Sequence, residues 1–425
     1  MRPTLLLASC ALAAVPAAAA LGQATPVASI SAFADTTTNL DVRTMVSRLT
    51  LENYKATVKG LTQFGDRRQG TKRNRDAVDW IEAQLKSYGC TNTERITYDY
   101  HTPPPRGGAG RGGRGGAGGG RGAPRPPGTV VSEGPTNGQG GSRIFGTRTQ
   151  TGVNTDSLRQ PDAHIRAIDA EPATDGERQE VYCTKVGSVH PNEMYIVGGH
   201  MDGHGWNEAA NDDGSGTALV MELARVFSSP DVKTDRSIRF VLWNNEETGL
   251  NGAHAYVDQR QALQGKESPA GSGKYPEPKW LGMIQHDMMM WDHGMPGPDG
   301  KLNPEQRREA DVNIEFASTS KMAQASADLA WFFRRANEHY ATDYPANVGP
   351  HMTNTDSDPF KDLVPAISLR ENERGSQIGA GWDPNWHQPS DVFATYSDKD
   401  FRLGLNAAET TLAAVALLTG ATVGK

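Results

Sequence analysis

The sequence predicts an α/β fold: a three-layer α/β/α sandwich with a central mixed, mostly parallel sheet. From about residue 181 onward, apolar runs of strand length alternate with longer segments whose apolar residues recur at helical spacing, which is typical of a sheet covered by helices on both faces. Residues 194–199 are apolar almost throughout, as in strands buried on both faces. Polar clusters follow several of these runs, and open parallel sheets keep their active sites at that edge.

The individual elements follow from local pattern. Residues 51–89 are predicted to be helical because apolar side chains from Ala77 to Tyr88 recur at helical spacing and Gly89 is typical of a helix end. The predicted strands are 96–100, 194–199, 238–243, 280–286 and 364–369, and the helices in the second half are 214–227, a short one through Ala253 and Tyr256, 323–340 and 401–418.

Composition and the first residues indicate the class of protein. The 425 residues carry a formal net charge of −7, which disfavours nucleic acid and anionic membranes as partners. Residues 1–24 combine a basic start, an apolar run from Leu5 to Ala20 and small residues at a cleavage point, the pattern of a signal peptide. We therefore expect an exported protein, periplasmic or extracellular. A lipoprotein box ending at Cys10 makes anchoring the less favoured alternative, and no other stretch predicts a transmembrane segment.

After the signal peptide we expect an N-terminal segment at 25–50 and a single domain at 51–425, interrupted by an insert at about 102–143. The insert holds 16 of the chain's 47 glycines and is predicted to be disordered, because it cannot bury enough apolar surface to offset the entropy of ordering. Arginine–glycine tracts can bind nucleic acid, but stacking aromatics are absent here.

Cys90 and Cys183 are expected either to form a disulfide, which export permits, or to be two buried thiols. Nothing in the sequence indicates an oligomeric state.

One stretch carries the strongest chemical signal. The strand at 194–199 is followed by His200 and Asp202, and Asp212 stands further along, just ahead of a predicted helix. An imidazole at a strand end can bind a transition metal through one nitrogen while a carboxylate accepts a hydrogen bond from the other. His200 and Asp202, two apart on extended chain, lie on the same side and suit these roles.

Further polar clusters follow the later strands. Glu246 and Glu247 follow one strand, Asp287 follows the next, and His387 stands ahead of the closing helix. Each cluster alone is as typical of a surface acid or a helix cap, but their occurrence in order after successive strands favours a shared site. Two histidines and several carboxylates without a cysteine cluster suit two Zn²⁺ ions bridged by a carboxylate and a water. Four other histidines lack this context and are expected behind the site or at the surface: His204, His254, His286 and His351.

These residues resemble the motifs of the zinc exopeptidases of metallopeptidase family 28, which includes bacterial aminopeptidases and glutamate carboxypeptidase. The resemblance runs from about Val58 onward, apart from the insert and its flank. The motifs are Gly-x-His-x-Asp at 198–202, Asn-Asp-Asp-Gly-Ser-Gly at 211–216, Glu-Glu-x-Gly-Leu at 246–250, Asp-Met at 287–288 and a last histidine at 387. The resemblance implies the zinc aminopeptidase-like phosphorylase/hydrolase fold.

The resemblance also implies a metal ligand set. His200 and His387 would each bind a different zinc ion, and Asp212 would bridge the two. Glu247 would complete the protein ligands of one ion and Asp287 those of the other. The expected cofactor is therefore two Zn²⁺ per chain.

Two catalytic roles are implied as well. Glu246 would be the general base for a water held between the two ions, and Asp202 would orient His200. Family structures also imply a cis peptide bond between Asp212 and Asp213.

We therefore expect an exported zinc aminopeptidase that hydrolyses the N-terminal peptide bond of a peptide substrate through a zinc-bridging hydroxide. Three alternatives stay open. A carboxypeptidase would need a cation for the substrate carboxylate, and Arg370 or Arg374 could supply it. A glutaminyl cyclase-like acyltransferase would use one zinc, and a non-catalytic relative would have lost ligands. Two departures from the family pattern, Thr-Asp-Ser at 355–357 in place of Ser-Asp-His and Gln388 in place of Thr, fall near the expected substrate pocket.

Overall fold

The computed structural model describes residues 38–102, 150–351, 354–372 and 383–424. The predicted signal peptide, nearly all of the predicted insert and Arg374 lie outside these residues, so the expectations about them stay predictions.

The described residues contain eight α-helices and ten β-strands. The helices are α1 Leu40–Val46, α2 Leu51–Thr62, α3 Lys72–Ser87, α4 Ala163–Asp169, α5 Gly214–Phe227, α6 Asn251–Arg260, α7 Ala323–Tyr340 and α8 Asp398–Thr419. The strands are β1 Thr93–Tyr100, β2 Gly176–Lys185, β3 His190–His200, β4 Val232–Lys233, β5 Arg236–Trp243, β6 Lys279–His286, β7 Val312–Phe316, β8 Ala346–Gly349, β9 Ala366–Arg370 and β10 Thr422–Val423.

Eight strands form one mixed sheet in the order β1-β2-β5-β3-β6-β9-β7-β8. The inner four, β5, β3, β6 and β9, run parallel to one another, whereas β1, β2 and β7 each have antiparallel neighbours. The predicted mixed, mostly parallel sheet is confirmed, since its four central strands are parallel and antiparallel pairs flank them on both sides.

The register of the inner strands brings their carboxyl ends together. Gly199 of β3 faces Leu242 of β5 on one side and His286 of β6 on the other, and His286 faces Leu369 of β9. Because these strands run in the same direction and end at the same level, the segments that follow them emerge at one edge of the sheet.

Helices cover both faces of the sheet, as predicted for a three-layer sandwich. Alternate residues of β3 enter two different apolar cores: Tyr195 and Val197 pack with α2, α3, α5, α7 and α8, whereas Met194 and Ile196 pack with α6 and the aromatic cluster around Trp243. This alternation follows from the two-residue period of a strand and explains why the run is apolar throughout.

One helix in the described part of the chain, α8, is long and apolar enough to cross a membrane. Of its most apolar window, 83% is buried inside the protein, and the core helix of a soluble protein passes the same length and composition test.

Most of the predicted elements are present, and the differences have local causes. α5 and α7 have the predicted bounds. The helix predicted at 51–89 is in fact two helices, α2 and α3, because Gly65 and Gly70 in the turn between them adopt φ values of 60° and 81°, which end a helix. β2, β4, β7, β8 and β10 were not predicted: β2 carries charged residues along most of its length, and the other four are short.

Cys90 and Cys183 form a disulfide, with their Cα atoms 6.1 Å apart. Of the two possibilities that the sequence leaves open, the structure has the bridge. It joins the end of the α3 segment to β2.

Candidate metal centre

Three of the four parallel strands lead to predicted site residues. β3 ends at His200, the chain after β5 reaches Glu246 and Glu247, and Asp287 directly follows β6. Because the ends of these strands are in register, the four side chains share one edge of the sheet.

Asp212 lies at the middle of the cluster. Its Oδ1 is 3.3 Å from Nε2 of His200, and its Oδ2 is 2.9 Å from Nε2 of His387. On the first side, Nε2 of His200 is 3.9 Å from Oδ1 of Asp287. On the second side, Nε2 of His387 is 2.9 Å from Oε2 of Glu247. The structure thus brings the five predicted ligands together in two groups that share Asp212.

His387 reaches this site from the segment between β9 and α8. Its φ of 56° lies in the left-handed region that non-glycine residues rarely adopt. Asp391, four positions later, accepts hydrogen bonds from the backbone N–H groups of Asn211 at 2.8 Å and Asp212 at 3.1 Å. The segment that carries His387 is therefore tied to the backbone of Asp212.

The cis peptide bond implied by the family resemblance is present between Asp212 and Asp213. The Asp213 carboxylate accepts hydrogen bonds from the backbone N–H groups of His200 at 3.0 Å, Gly216 at 2.9 Å and Met288 at 3.1 Å. One side chain thus joins the ends of β3 and β6 to the start of α5.

Asp202 acts differently from the expectation. Nδ1 of His200 donates a hydrogen bond of 2.8 Å to the main-chain carbonyl of Asp202, while the carboxylate lies 4.0 Å away. The Asp202 carboxylate instead accepts a 3.0 Å hydrogen bond from the backbone N–H of Glu246. The residue therefore orients His200 through its backbone and positions Glu246 through its side chain.

The residues present suit zinc. Two sets of three side chains place ligand atoms within 4.8 Å of one another: His200, Glu246 and Asp287, and His204, Glu247 and His387. Imidazole nitrogens and carboxylate oxygens are ligands that Zn²⁺ prefers. Oε1 of Glu247 is buried without a hydrogen-bond partner among the described residues, and such an oxygen is a site for a cation.

The charges of the cluster are strongly coupled. Burial disfavours a charged imidazole, but nearby carboxylates, Glu246 first, raise the pKa of His200 well above its ordinary value. At His387 burial is likewise outweighed, by Glu247 and Asp212, and the pKa rises to about 10. The pKa of Asp212 is held well below its usual range, because hydrogen bonds to the two imidazoles outweigh burial. A metal ion must displace these imidazole protons, so binding will release protons.

The two adjacent glutamates differ from Asp212, because their pKa values are raised rather than lowered. Burial raises the pKa of Glu246 well above its ordinary value, although His200 opposes the shift, and burial raises the pKa of Glu247 to about 7. A buried carboxylate in a cleft that holds a proton more tightly than usual is a candidate general base.

Arg370, at the end of β9, is paired inside the protein. Its guanidinium lies 2.8 Å from Oδ1 of Asp287 and 3.6 Å from Oε2 of Glu315, and the residue is 1% exposed. Burial and these ion pairs disfavour Arg370 as the receptor of a substrate carboxylate, although its Nε and Nη2 have no hydrogen-bond partner among the described residues.

His204 lies inside the site rather than behind it or at the surface. Its Nε2 is 3.0 Å from Nδ1 of His387 and 3.2 Å from Oε2 of Glu247. Burial, followed by the neighbouring His387, lowers the pKa of His204 well below its ordinary value. The available sequence signal was its place four residues after His200, in the loop that leads to Asp212.

The other three histidines agree better with the expectation. His286 is buried in the core, where it contacts the carbonyl of Gly198 at 3.0 Å and Oγ1 of Thr411 at 2.8 Å. His254 is exposed on α6, and His351 is half-buried.

Glu371 is a further buried residue that sequence reasoning missed. Its Oε2 accepts hydrogen bonds of 2.7 Å from the side-chain amide of Asn211 and 2.7 Å from the backbone N–H of Trp291. Glu371 directly follows β9. The other site residues were found because they are polar and follow predicted strands, so the same pattern could have identified Glu371.

The two departures from the family pattern, at 355–357 and at Gln388, both make hydrogen bonds within the protein. The buried hydroxyls of Ser357 and Ser368 are 2.7 Å apart, and Gln388 donates a 3.4 Å hydrogen bond to the carbonyl of Trp386. Asp356, beside Ser357, is fully buried.

Short segments of this chain are similar to curated peptidases. Aminopeptidase YwaD of Bacillus subtilis (strain 168) is 40% identical over 79 residues, which are 19% of this chain and 17% of the relative. Carboxypeptidase Q of Mus musculus is 34% identical over 82 residues, which are 19% of this chain and 17% of that relative. The chain thus matches less than a fifth of the length of either protein.

Solved structures share the fold over most of the chain. The aminopeptidase from Aneurinibacillus sp. strain AM-1 has a TM-score of 0.52 at 21% identity, covering 90% of this chain and 97% of that one. BSAP, a zinc aminopeptidase from Bacillus subtilis, has a TM-score of 0.53 at 17% identity, covering 87% and 95%.

The model of peptidase family M28 matches residues 181–409, which is more than half of the chain. This range contains the strand ends, the two groups around Asp212 and the segment that carries His387. The chain belongs to peptidase family M28.

Proposed function

We propose that this protein is an exported di-zinc exopeptidase that removes the N-terminal residue of peptides. The observation that carries the proposal is the position of Asp212, whose two carboxylate oxygens each face a different imidazole at 3.3 Å and 2.9 Å. A carboxylate in that position suits a bridge between two ions. Membership of family M28 supports peptide hydrolysis.

The ligands divide into two sets. His200 and Asp287 would hold one zinc ion, Glu247 and His387 would hold the other, and Asp212 would serve both. When bound, the two ions supply Lewis acidity and lower the pKa of a water toward neutrality.

Glu246 is the residue to move the proton. Its carboxylate is almost fully buried beside His200 and Asp287, and its backbone N–H is held at 3.0 Å by the carboxylate of Asp202. Burial raises its pKa, so the carboxylate can take a proton from the attacking water and return it to the leaving nitrogen. Because Asp202 fixes the backbone, Glu246 keeps its orientation through both transfers.

An aminopeptidase is favoured over a carboxypeptidase by the charge around the site. Two Zn²⁺ ions would neutralise the carboxylates that bind them, so a free α-amine would pair with a carboxylate outside the ligand set, such as the buried Asp356 near Glu246, whereas a substrate carboxylate would need a cation. Arg370 is committed to Asp287 and Glu315. Among the similar proteins, aminopeptidase YwaD supports the same choice, whereas carboxypeptidase Q supports the alternative.

The test combines a metal count with a substrate panel. Zinc per chain is measured on the purified protein, and hydrolysis is followed for amino-acyl p-nitroanilides, their N-acetylated forms and C-terminally amidated dipeptides, with and without chelator. We expect two zinc ions, chelator-sensitive hydrolysis of the free-amine substrates and no hydrolysis of the N-acetylated ones. Cleavage that requires a free carboxylate would instead indicate a carboxypeptidase, and one zinc with cyclisation of N-terminal glutamine would indicate an acyltransferase.

Export and the single-domain organisation belong to the same proposal. N-terminal sequencing of the protein recovered from periplasm and medium is expected to begin near residue 25. Limited proteolysis is expected to cut within the insert at about 102–143 and to leave one folded core.

A further inference from the structure

We propose that His204 is an additional metal ligand, which gives the Glu247–His387 position a second imidazole. The proposal rests on the proposed di-zinc function and deepens it, because it makes the two metal positions chemically unequal.

The side-chain geometry supports direct ligation. Nε2 of His204 is 3.2 Å from Oε2 of Glu247, which in turn is 2.9 Å from Nε2 of His387. Donor atoms around a tetrahedral zinc, each at about 2.0–2.1 Å from the ion, lie about 3.3–3.4 Å from one another. The contacts of these three side chains are shorter by a few tenths of an ångström, so a small outward adjustment gives them the spacing that an ion requires.

The backbone of His204 is held against the segment that carries His387. The side-chain amide of Asn207 donates to the carbonyl of His204 at 3.2 Å and to the carbonyl of Gln388 at 2.8 Å. At Gly205, whose φ is 132°, an added Cβ would lie 2.9 Å from the carbonyl carbon of His387. The glycine after His204 therefore permits a close approach that a larger residue would prevent.

Arg67 fixes the rest of this loop. Its buried guanidinium donates to the carbonyls of Met201 at 2.7 Å, Glu208 at 2.9 Å and Ala209 at 2.8 Å. The loop is thus fastened on both sides of His204. A donor held by a rigid support loses little conformational entropy when it binds an ion.

A second arrangement is compatible with the same contacts. Nε2 of His204 could accept a hydrogen bond from Nδ1 of His387 over the observed 3.0 Å and orient that ring without touching the ion. The two rings, however, are nearly perpendicular, at 83°, with centroids only 4.1 Å apart. Two rings that met end to end through an in-line hydrogen bond would have centroids farther apart, so the close approach favours ligation.

The experiment measures metal binding directly. Metal-free protein is titrated with Co²⁺ and with Zn²⁺ in competition with a chromophoric chelator, and the visible spectrum of the bound cobalt is recorded. His204→Leu removes the nitrogen, His204→Gln keeps a polar group that can hydrogen-bond to His387, and His254→Leu removes an exposed histidine on α6 as the matched control.

We expect two ions in the wild type and in His254→Leu. In both His204 variants one of the two affinities should fall by well over 100-fold, beyond the roughly 10–100-fold typical of an outer-sphere partner, and the cobalt spectrum should change; a smaller loss would assign His204 to the outer sphere and refute direct ligation. Unchanged affinities and spectrum would refute the proposal, and so would recovery in His204→Gln to within tenfold of wild type. If His204→Leu does not fold, His204→Gln decides. A wild type that binds fewer than two ions contradicts the proposed function instead.

Discussion

The two sides of the metal centre are built differently. The strand-borne half, His200 and Asp287, lies at the ends of β3 and β6, and its position follows from the register of a hydrogen-bonded sheet. The loop-borne half, His204 and His387, depends on side-chain clamps: Arg67 holds the loop that carries His204, and Asp391 ties the segment that carries His387 to Asp212.

The side chains of the loop-borne half are also more exposed to solvent than those of the strand-borne half. The side chains of His200 and Asp287 are 1% and 6% exposed, whereas those of His387 and His204 are 10% and 12% exposed. A sheet edge gives a nearly invariant scaffold, while a loop site needs additional contacts to reach the same precision. Variants of corresponding residues in the two halves test whether this difference in construction has measurable consequences.

The largest effect is expected at the adjacent glutamates, which serve different halves. Glu246→Gln removes the proton acceptor, so kcat should fall by about 10²–10⁴-fold while both metal ions stay bound. Glu247→Gln is the matched variant and should lose the ion of the loop-borne half. Steady-state kinetics and zinc content measured on the same samples check both. Near-normal turnover of Glu246→Gln would show that another group accepts the proton.

The second-largest effect is expected on stability, at Arg370, the buried cation that pairs with Asp287 of the strand-borne half. Arg370→Met leaves Asp287 and Glu315 buried without their guanidinium, and breaking such a pair is expected to lower the free energy of unfolding by about 3–5 kcal/mol. Urea unfolding of the metal-free protein measures it. Arg334→Met, which breaks the pair with Glu338 on the outer side of α7, is the control and should cost about 0.3–0.5 kcal/mol. Equal effects for the two variants would contradict the buried pairing.

A smaller effect is expected at the corresponding clamp of the loop-borne half. Arg67→Met leaves the carbonyls of Met201, Glu208 and Ala209 without a donor, which should cost about 1–3 kcal/mol of stability. Hydrogen exchange at 203–211 should accelerate more than exchange in β3. Arg75→Met, at an exposed position of α3, is the control. If exchange in the loop stayed at the wild-type rate, Arg67 would not be its support.

The strand-borne half is also the part that sequence could predict. An apolar run followed by His200, and another followed by Asp287, place both side chains at one sheet edge once the strands are assumed parallel. The sheet centre was predictable for the same reason. The edge strands β7 and β8 were not, because short polar segments carry too weak a pattern.

The loop-borne half, with the neighbouring Glu247, was predictable only in part. Glu247 and His387 were indicated by their positions after a strand and ahead of the closing helix, and the resemblance gave them their roles, whereas His204 carries no motif and was expected elsewhere. The partners of Arg67 lie more than 130 positions away along the chain, so local pattern cannot reveal them. The disulfide between Cys90 and Cys183 was left open for the same reason, since pairing depends on the distance in the fold.

The last effect is a pH-dependent one behind the loop-borne half, at Asp169. This carboxylate is fully buried, and neither oxygen has a hydrogen-bond partner among the described residues. Burial, followed by the neighbouring Asp66, raises its pKa from 3.8 to about 8, although Arg73 and Arg68 oppose the shift. The folded state therefore binds a proton more tightly than the unfolded state, so wild-type stability falls as the pH rises from about 4 to about 8.

Asp169→Asn keeps the shape and removes the charge. The free energy of unfolding of the variant should equal that of the wild type near pH 4. Its advantage should then grow as the pH rises from about 4 to about 8 and level off above about pH 8. A shift of about four pKa units corresponds to at most about 5–6 kcal/mol there, because each unit is worth about 1.4 kcal/mol and the value of about 8 already includes the opposing arginines. Thermal unfolding across the pH range measures the difference, with Asp99→Asn on the exposed side of β1 as the control. A constant difference between variant and wild type at all pH values would show that Asp169 does not titrate in this window.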